Sequence, residues 1–316
     1  MSDETAQAAR TAIEQCLNVT AGESVLVVTD DEREPIGEAL YGAAIDATDD
    51  VSLIRYPPGD QHGEEPPASV AAAMSAVDVF LAPTTRSLSH TRARGSACDA
   101  GARGVTLPGI TADVFVVGLD ADYGAIADHS AATLAAVAGA DEIRVTSPQG
   151  TDITFEVGDR EWLSDTGMVH EPGAFSNLPA GEVFVAPESA TGTYVVDGTM
   201  RPHGLLGPDQ RLTFEVEEGL VTSVSDDAIR ADLEAAAESV GDAAYNLAEL
   251  GIGTNVGVDE LVGSVLLDEK AAGTVHIAIG DNASIGGETD APVHLDGILR
   301  EPTVYADGEE IDLPSA

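Results

Sequence analysis

The sequence predicts an α/β fold in two parts, a parallel-sheet domain over residues 1–140 and a β-rich (α+β) metal-binding domain over 141–316. Three observations carry this. The first half alternates short apolar runs with helix-like stretches. The second half strings short strands around a single helix. Its last third sets two histidines and three carboxylates on strand ends and loops: Glu249, Glu269, His276, His294 and Asp296.

A helix-like stretch near 4–17 comes first. S-V-L-V-V-T-D at 24–30 is a continuous apolar run of the kind buried on both faces in parallel sheets. A helical segment near 33–47 leads to V-S-L-I-R-Y at 51–56, and P-P-G-D-Q-H-G-E-E-P-P fills a loop at 57–67. An Ala-rich helix at 68–76, a strand at 77–83, a helix at 89–100, a strand at 102–108 and a helix at 123–138 complete this half. The βαβα order implies a Rossmann-like parallel sheet with helices on both faces. From about 141 the pattern changes. Two strands flank P-Q-G-T, a hairpin signal. Strands follow at 181–187, 192–198, 211–217 and 219–225, then a helix at 227–248. G-I-G-T-N at 251–255 follows a helix and lacks a third glycine, so it is no dinucleotide loop. It reads as a helix C-cap and turn.

Composition limits the partners. Fifty-six acidic residues face 14 basic ones, and Lys270 is the sole lysine. A net charge of −42 argues against nucleic acid or an anionic membrane. Such self-repulsion needs salt, whose screening length falls to ~3 Å at 1 M. The expected setting is a high-salt cytoplasm, as in a halophilic archaeon, and most Asp and Glu then belong to a solvated surface. No apolar run approaches the ~18 residues of a membrane span. The acidic N-terminus M-S-D-E-T is unlike a secretory leader, which gives a cytoplasmic expectation. Cys16 and Cys98 form no C-x-x-C pair and fit a reduced protein.

Against that acidic background, a few residues stand out by context. In V-H-L-D-G, period-two alternation puts His294 and Asp296 on one side of a strand. The I-A-I-G run after His276 marks a buried strand carrying an imidazole. Glu249 reads as a carboxylate at a helix C-terminus, a poor place for an acid without a nearby cation. In G-E-V-F-V-A-P, Glu182 shares a face with Phe184 and Ala186 and is either an edge residue or a ligand. Glu269, in D-E-K, reads by pattern as surface. Imidazoles with carboxylates are the usual ligands of zinc, manganese, cobalt or iron. No Walker loop, G-x-S-x-G or H-E-x-x-H occurs.

N-L-P-A-G-E-V-F-V-A-P, E-L-G-I-G-T-N, D-E-K-A-A-G-T-V-H-I-A-I-G and V-H-L-D-G-I-L, in that order, resemble the aminopeptidase T and leucyl aminopeptidase metallopeptidases of thermophilic type. The resemblance is strong over roughly 141–316. It implies a cytoplasmic, homodimeric metallo-aminopeptidase that removes N-terminal residues from peptides through water activated by two divalent ions, Zn, Co or Mn. It implies Glu182, Glu249, Glu269, His276, His294 and Asp296 as metal ligands, with Glu249 bridging and His294 as ligand or catalytic neighbour. Glu182, Glu249, Glu269 and Asp296 bring four negative charges, which two divalent cations would neutralise. His294 and Glu288 are the candidate general bases. The chain departs from that family in three ways. Ala283 stands where it has a tyrosine, the step from D-E-K to His276 is two residues longer, and the segment between the histidines is shorter. A related subgroup, mononuclear iron dioxygenases that open dihydroxypyridine rings, is the alternative. A non-catalytic metal-stabilised protein is the third reading.

Overall fold

Residues 24–30 form the expected strand, and it lies between two others in a five-stranded parallel sheet. The structure, a computed structural model, describes residues 2–315. The sheet runs Asp50–Tyr56, Ser24–Asp30, Val79–Thr84, Arg103–Pro108, Phe175–Asn177, with every pairing parallel. Alternation divides its side chains. Leu26, Val28, Phe80 and Ala82 cluster with Val70 and Met74 of helix Ala68–Met74 and with Ala93 and Ala97 of helix Arg92–Asp99. Helix Glu34–Ala47 lies on the other face. Gly37 permits its approach, since a Cβ there would sit 2.8 Å from the Thr29 Cβ. Helices therefore cover both faces, as the βαβα order requires.

The remaining strands build two antiparallel sheets. One is ordered Leu220–Val224, Leu212–Glu217, Ser189–Val196, Asp152–Glu156, Glu142–Thr146, Thr303–Ala306, Glu309–Glu310. The other is ordered Gly204–Leu205, Thr199–Met200, His294–Leu299, Val275–Gly280, Leu247–Gly253, Glu182–Val185, Leu163–Asp165. Both send apolar side chains into one core. Ile143, Ile153, Phe155 and Phe214 come from the first, and Val183, Leu250, Ile252 and Ile277 from the second. Tyr194 and Phe214 stack within it at 4.6 Å.

The sequence reading drew one cut near 140. Contacts divide the chain instead into a unit of residues 2–124 with 166–180, and a unit of 125–165 with 181–315. The segment 166–180 contains the fifth parallel strand, Phe175–Asn177. Helix Ala112–Leu119, capped by the Thr111 hydroxyl, was not expected, because its V-F-V-V run is β-prone. Among the described residues no helix is long and apolar enough to cross a membrane. Among the described residues neither Cys16 nor Cys98 forms a disulfide.

One correction matters for the site. The helix expected over 227–248 ends at Val240, with Gly241 at φ 62° and a 3-10 turn to Tyr245. Residues 247–253 are a central strand, hydrogen-bonded on both sides. A-E-L-G has helix-forming residues, but two partner strands override that weak preference. Gly251 and Gly253 are thus strand residues rather than a cap, and Glu249 opposes no helix dipole.

Candidate metal centre

Four adjacent strands of the second antiparallel sheet present the site on one face. Register aligns Glu182 with Gly253, Gly251 with His276, Glu249 with Ala278, Ala278 with Asp296, and Gly280 with His294. Period-two alternation then puts every one of these residues on the same side. Val183, Val185, Leu250, Ile252, Val275, Ile277, Ile279 and Leu299 point the other way, into the core. The floor of the site is Gly251, Gly253, Ala278 and Gly280, which leave room above the sheet. A Cβ on Gly251 would overlap the His276 Cε1 and Nε2, so the imidazole lies directly over that glycine. Glu249 reaches this face through a β-bulge. Leu247 pairs with Ile279 on the core side and Glu249 with Ala278 on the site side, with Ala248 as the extra residue.

The imidazoles converge on Glu249. His276 Nε2 lies 3.2 Å from Glu249 Oε1 and 3.5 Å from Glu182 Oε2. His294 Nε2 lies 3.4 Å from Glu249 Oε2 and 3.2 Å from Asp296 Oδ1. His294 Nδ1 is 2.7 Å from the Asp281 carbonyl oxygen, to which it donates, so Nε2 is turned to the carboxylates. His276 Nδ1 is buried without a hydrogen-bond partner. Glu182, Glu249, His276 and Asp296 are all buried, while the His294 side chain keeps 35% of its exposure and marks the accessible side.

Two compact donor groups result, Glu182–Glu249–His276 and Glu249–His294–Asp296, each with ligand atoms within 4.8 Å of one another. They share Glu249. The chemistry of the set fits a divalent cation, since buried carboxylates facing imidazole nitrogens otherwise repel one another. In its absence protons do that work. Burial alone would push Glu249 up, but hydrogen bonds from His276 and His294 hold it at about 2. Burial would push His276 down, but Glu249 and Glu182 raise it to about 9. Asp296 is likewise held low by His294 despite its burial.

Lys270 is the residue that the sequence reading missed. Its Nζ donates to Glu182 Oε1 and to Glu269 Oε1, both at 2.6 Å, and the side chain is buried. Burial would lower its pKa, but the two carboxylates raise it above that of a free lysine. Burial pushes Glu182 up to about 7 even against this ammonium, and Glu269 also rises. A signal existed. In a chain with 56 acids and a single lysine, that lysine was the one to test for an interior partner.

The six expected residues therefore meet, with Glu269 joined through Lys270. Glu269 sits at the C-cap of the short helix Val265–Asp268 and is not surface. Glu288, a candidate base, is exposed on the 281–293 loop, as is Ala283. That loop is anchored by buried Asn282, whose Nδ2 donates to the Ala248 carbonyl at 3.3 Å and whose Oδ1 accepts from Thr289 N at 2.9 Å.

Fold and donor set together define an α/β protein with a metal-binding cluster on its antiparallel sheet. The chain belongs to the family described as NicX, 2,5-dihydroxypyridine 5,6-dioxygenase, whose model matches residues 4–312. The 2,5-dihydroxypyridine 5,6-dioxygenase of Pseudomonas putida KT2440 is 27% identical over 183 residues, 54% of this chain and 52% of that protein. The chain thus spans about half the length of the curated relative it matches. The solved 2,5-dihydroxypyridine dioxygenase from P. putida KT2440 superposes with TM-score 0.78 at 21% identity, covering 98% of this chain and 95% of that one. AmpT from Thermus thermophilus superposes with TM-score 0.68 at 19% identity, covering 98% and 96%. At these identities both structures speak for the fold alone. The likeness to aminopeptidase T is therefore one of fold. The hydrolase, aminopeptidase and protease reading is corrected, because the family and the curated relative both name a dioxygenase.

Proposed function

We propose that the protein is an Fe(II)-dependent ring-opening dioxygenase acting on 2,5-dihydroxypyridine or a closely related dihydroxylated nitrogen heteroaromatic. One observation carries this beyond the family match: two imidazoles and a carboxylate, His276, His294 and Asp296, converge with Glu249 on one sheet face. Two histidines with one carboxylate and open positions is the donor set of non-haem Fe(II) oxygenases. We assign a single metal to these four residues in place of the expected pair. Four carboxylates and one ammonium leave three negative charges, and one divalent ion reduces that to one. Bound there, Fe(II) supplies the one-electron chemistry through which O2 reacts with an electron-rich ring.

The protein's own groups orient and exclude. The Asp281 carbonyl takes the Nδ1 proton of His294, so that Nε2 is the nitrogen turned to Glu249 and Asp296. The Gly251 floor seats His276. The exposed edge of His294 leaves that side open to the ring. The proposed reaction consumes one O2 per ring and breaks the C5–C6 bond, leaving a carboxyl at C5 and an N-formyl at C6. Both oxygen atoms stay in the product, so no external reductant is required.

The test is reconstitution with Fe(II) without air, in ~2 M KCl to screen the surface charge. Oxygen uptake and loss of ring absorbance are then followed with 2,5-dihydroxypyridine. One O2 per ring, with leucyl peptides untouched, is the expected result. Folded, iron-loaded protein that consumes no oxygen with this ring refutes the assignment.

A further inference from the structure

We infer that Lys270 is a built-in replacement for a second metal ion, and that its ammonium restricts this centre to one cation. The inference rests on the single-metal assignment above.

The geometry supplies two donor groups, not one. Glu249–His294–Asp296 and Glu182–Glu249–His276 share a carboxylate, the arrangement in which two ions would be bridged, with His276 then serving the second ion instead of the first. The groups differ in what else touches them. In the first, His294 donates to the Asp281 carbonyl and Glu249 faces His276, and no ammonium touches it among the described residues. In the second, Glu182 Oε1 is taken by Lys270 Nζ at 2.6 Å, and the same nitrogen holds Glu269 at 2.6 Å. An ammonium at this place does what a cation would do. It neutralises charge between two buried carboxylates that otherwise repel. It also fixes them by charge-assisted hydrogen bonds of short length.

Lys270 is buried, and its backbone is locked as well: Asn255 N donates to the Lys270 carbonyl at 2.8 Å, and Lys270 N donates to the Leu267 carbonyl at 3.0 Å. The side chain thus grows from a fixed turn into a fixed pair of acids. A second divalent ion would have to displace a tethered ammonium. It would also strip from Lys270 its bond to Glu182, leaving a buried cation with Glu269 as its remaining hydrogen-bonded carboxylate, a costlier state.

Mn(II) is a probe with a readout independent of turnover. Purified full-length protein is loaded with excess Mn(II) in ~2 M KCl, and bound metal is counted after gel filtration and examined by electron paramagnetic resonance. The wild type is expected to hold one Mn(II) per chain, with the six-line spectrum of an isolated ion. Lys270→Gln removes the ammonium, keeps a neutral side chain of similar length, and is expected to hold two, with the multiline spectrum of a coupled pair. A Lys270→Gln protein that still binds one ion overturns the role of Lys270 and leaves the single-metal reading standing. A wild type that binds two overturns the single-metal reading itself. Should Lys270→Gln unfold without metal, Mn(II) is expected to restore it by replacing the lost charge, and failure to fold in excess Mn(II) also overturns the inference.

Discussion

Replacing Gly251 with alanine places a methyl group where the His276 imidazole lies. The added Cβ would overlap both Cε1 and Nε2 of the ring, and Nε2 is the atom that faces Glu249. Neither party can yield easily. Gly251 is in a strand paired on both sides, and His276 sits opposite it in the neighbouring strand. The ring must therefore rotate off its carboxylates. Overpacking of this kind costs about 1–3 kcal/mol of stability. Mispositioning a ligand typically lowers metal affinity by about tenfold to a hundredfold, or about 1.4 kcal/mol for each factor of ten. Competitive titration of Mn(II) against a chelator measures the affinity, and thermal melts of the metal-free proteins measure the stability. The expected outcome for Gly251→Ala is a lower melting point and a Kd for Mn(II) raised at least tenfold. If the Kd changes by less than about twofold while the melting point falls, His276 contributes no ligand atom, and the proposed donor set loses one of its two imidazoles.

Glu249→Gln removes the charge that both imidazoles share and is expected to abolish stable Mn(II) binding in metal analysis after dialysis, whereas Glu288→Gln, on an exposed loop, retains it. In the N-terminal unit, the Arg103 guanidinium grips Glu23 and draws its carboxyl from the ordinary 4.5 to about 2. The depressed value makes the pair stabilising above pH 4.5, by about 3 kcal/mol at most, and that stability fades as pH falls from 4.5 toward 2. Glu23→Gln should thus cost stability at pH 7 and little at pH 2 in denaturant titrations, and a penalty that does not shrink with acid would contradict the pairing. With 56 acids against 14 bases, the melting point should rise between ~0.1 M and ~2 M KCl, and an unchanged midpoint would remove the high-salt reading.

Most of the fold was legible because its periodicities are local. The apolar runs at 24–30 and 79–84 are continuous, as buried parallel strands are, and H-L-D alternates as a one-sided strand does. What escaped depended on partners distant in sequence. Phe175–Asn177 is three residues long and becomes a strand only by adding to Arg103–Pro108. Residues 247–253 carry helix-forming letters, and only pairing with Glu182–Val185 and Val275–Gly280 makes them a strand. Misplacing them put Glu249 at a helix end, so it was singled out on a helix dipole that it does not oppose. Its true peculiarity is a bulge at Ala248 that turns it from core to site.

The ligand types were legible as well, and the reaction was not. Carboxylates and imidazoles along a strand announce a cation, but a fold and donor set of this kind can host more than one chemistry. The resemblance implied two metals and the four carboxylates matched that charge, a count that left out the lysine next to Glu269. Its position changes the arithmetic. An ammonium between Glu182 and Glu269 removes the electrostatic need for a second ion, and it binds no water that could be activated for hydrolysis. On the one-cation assignment proposed above, the exposed histidine edge suits a substrate that brings its own electrons, such as a dihydroxylated ring, better than a peptide bond. Nothing in the letters D-E-K announces the role of that lysine. Only the folded turn at 268–271, which aims Lys270 at two acids from different strands and loops, makes it readable.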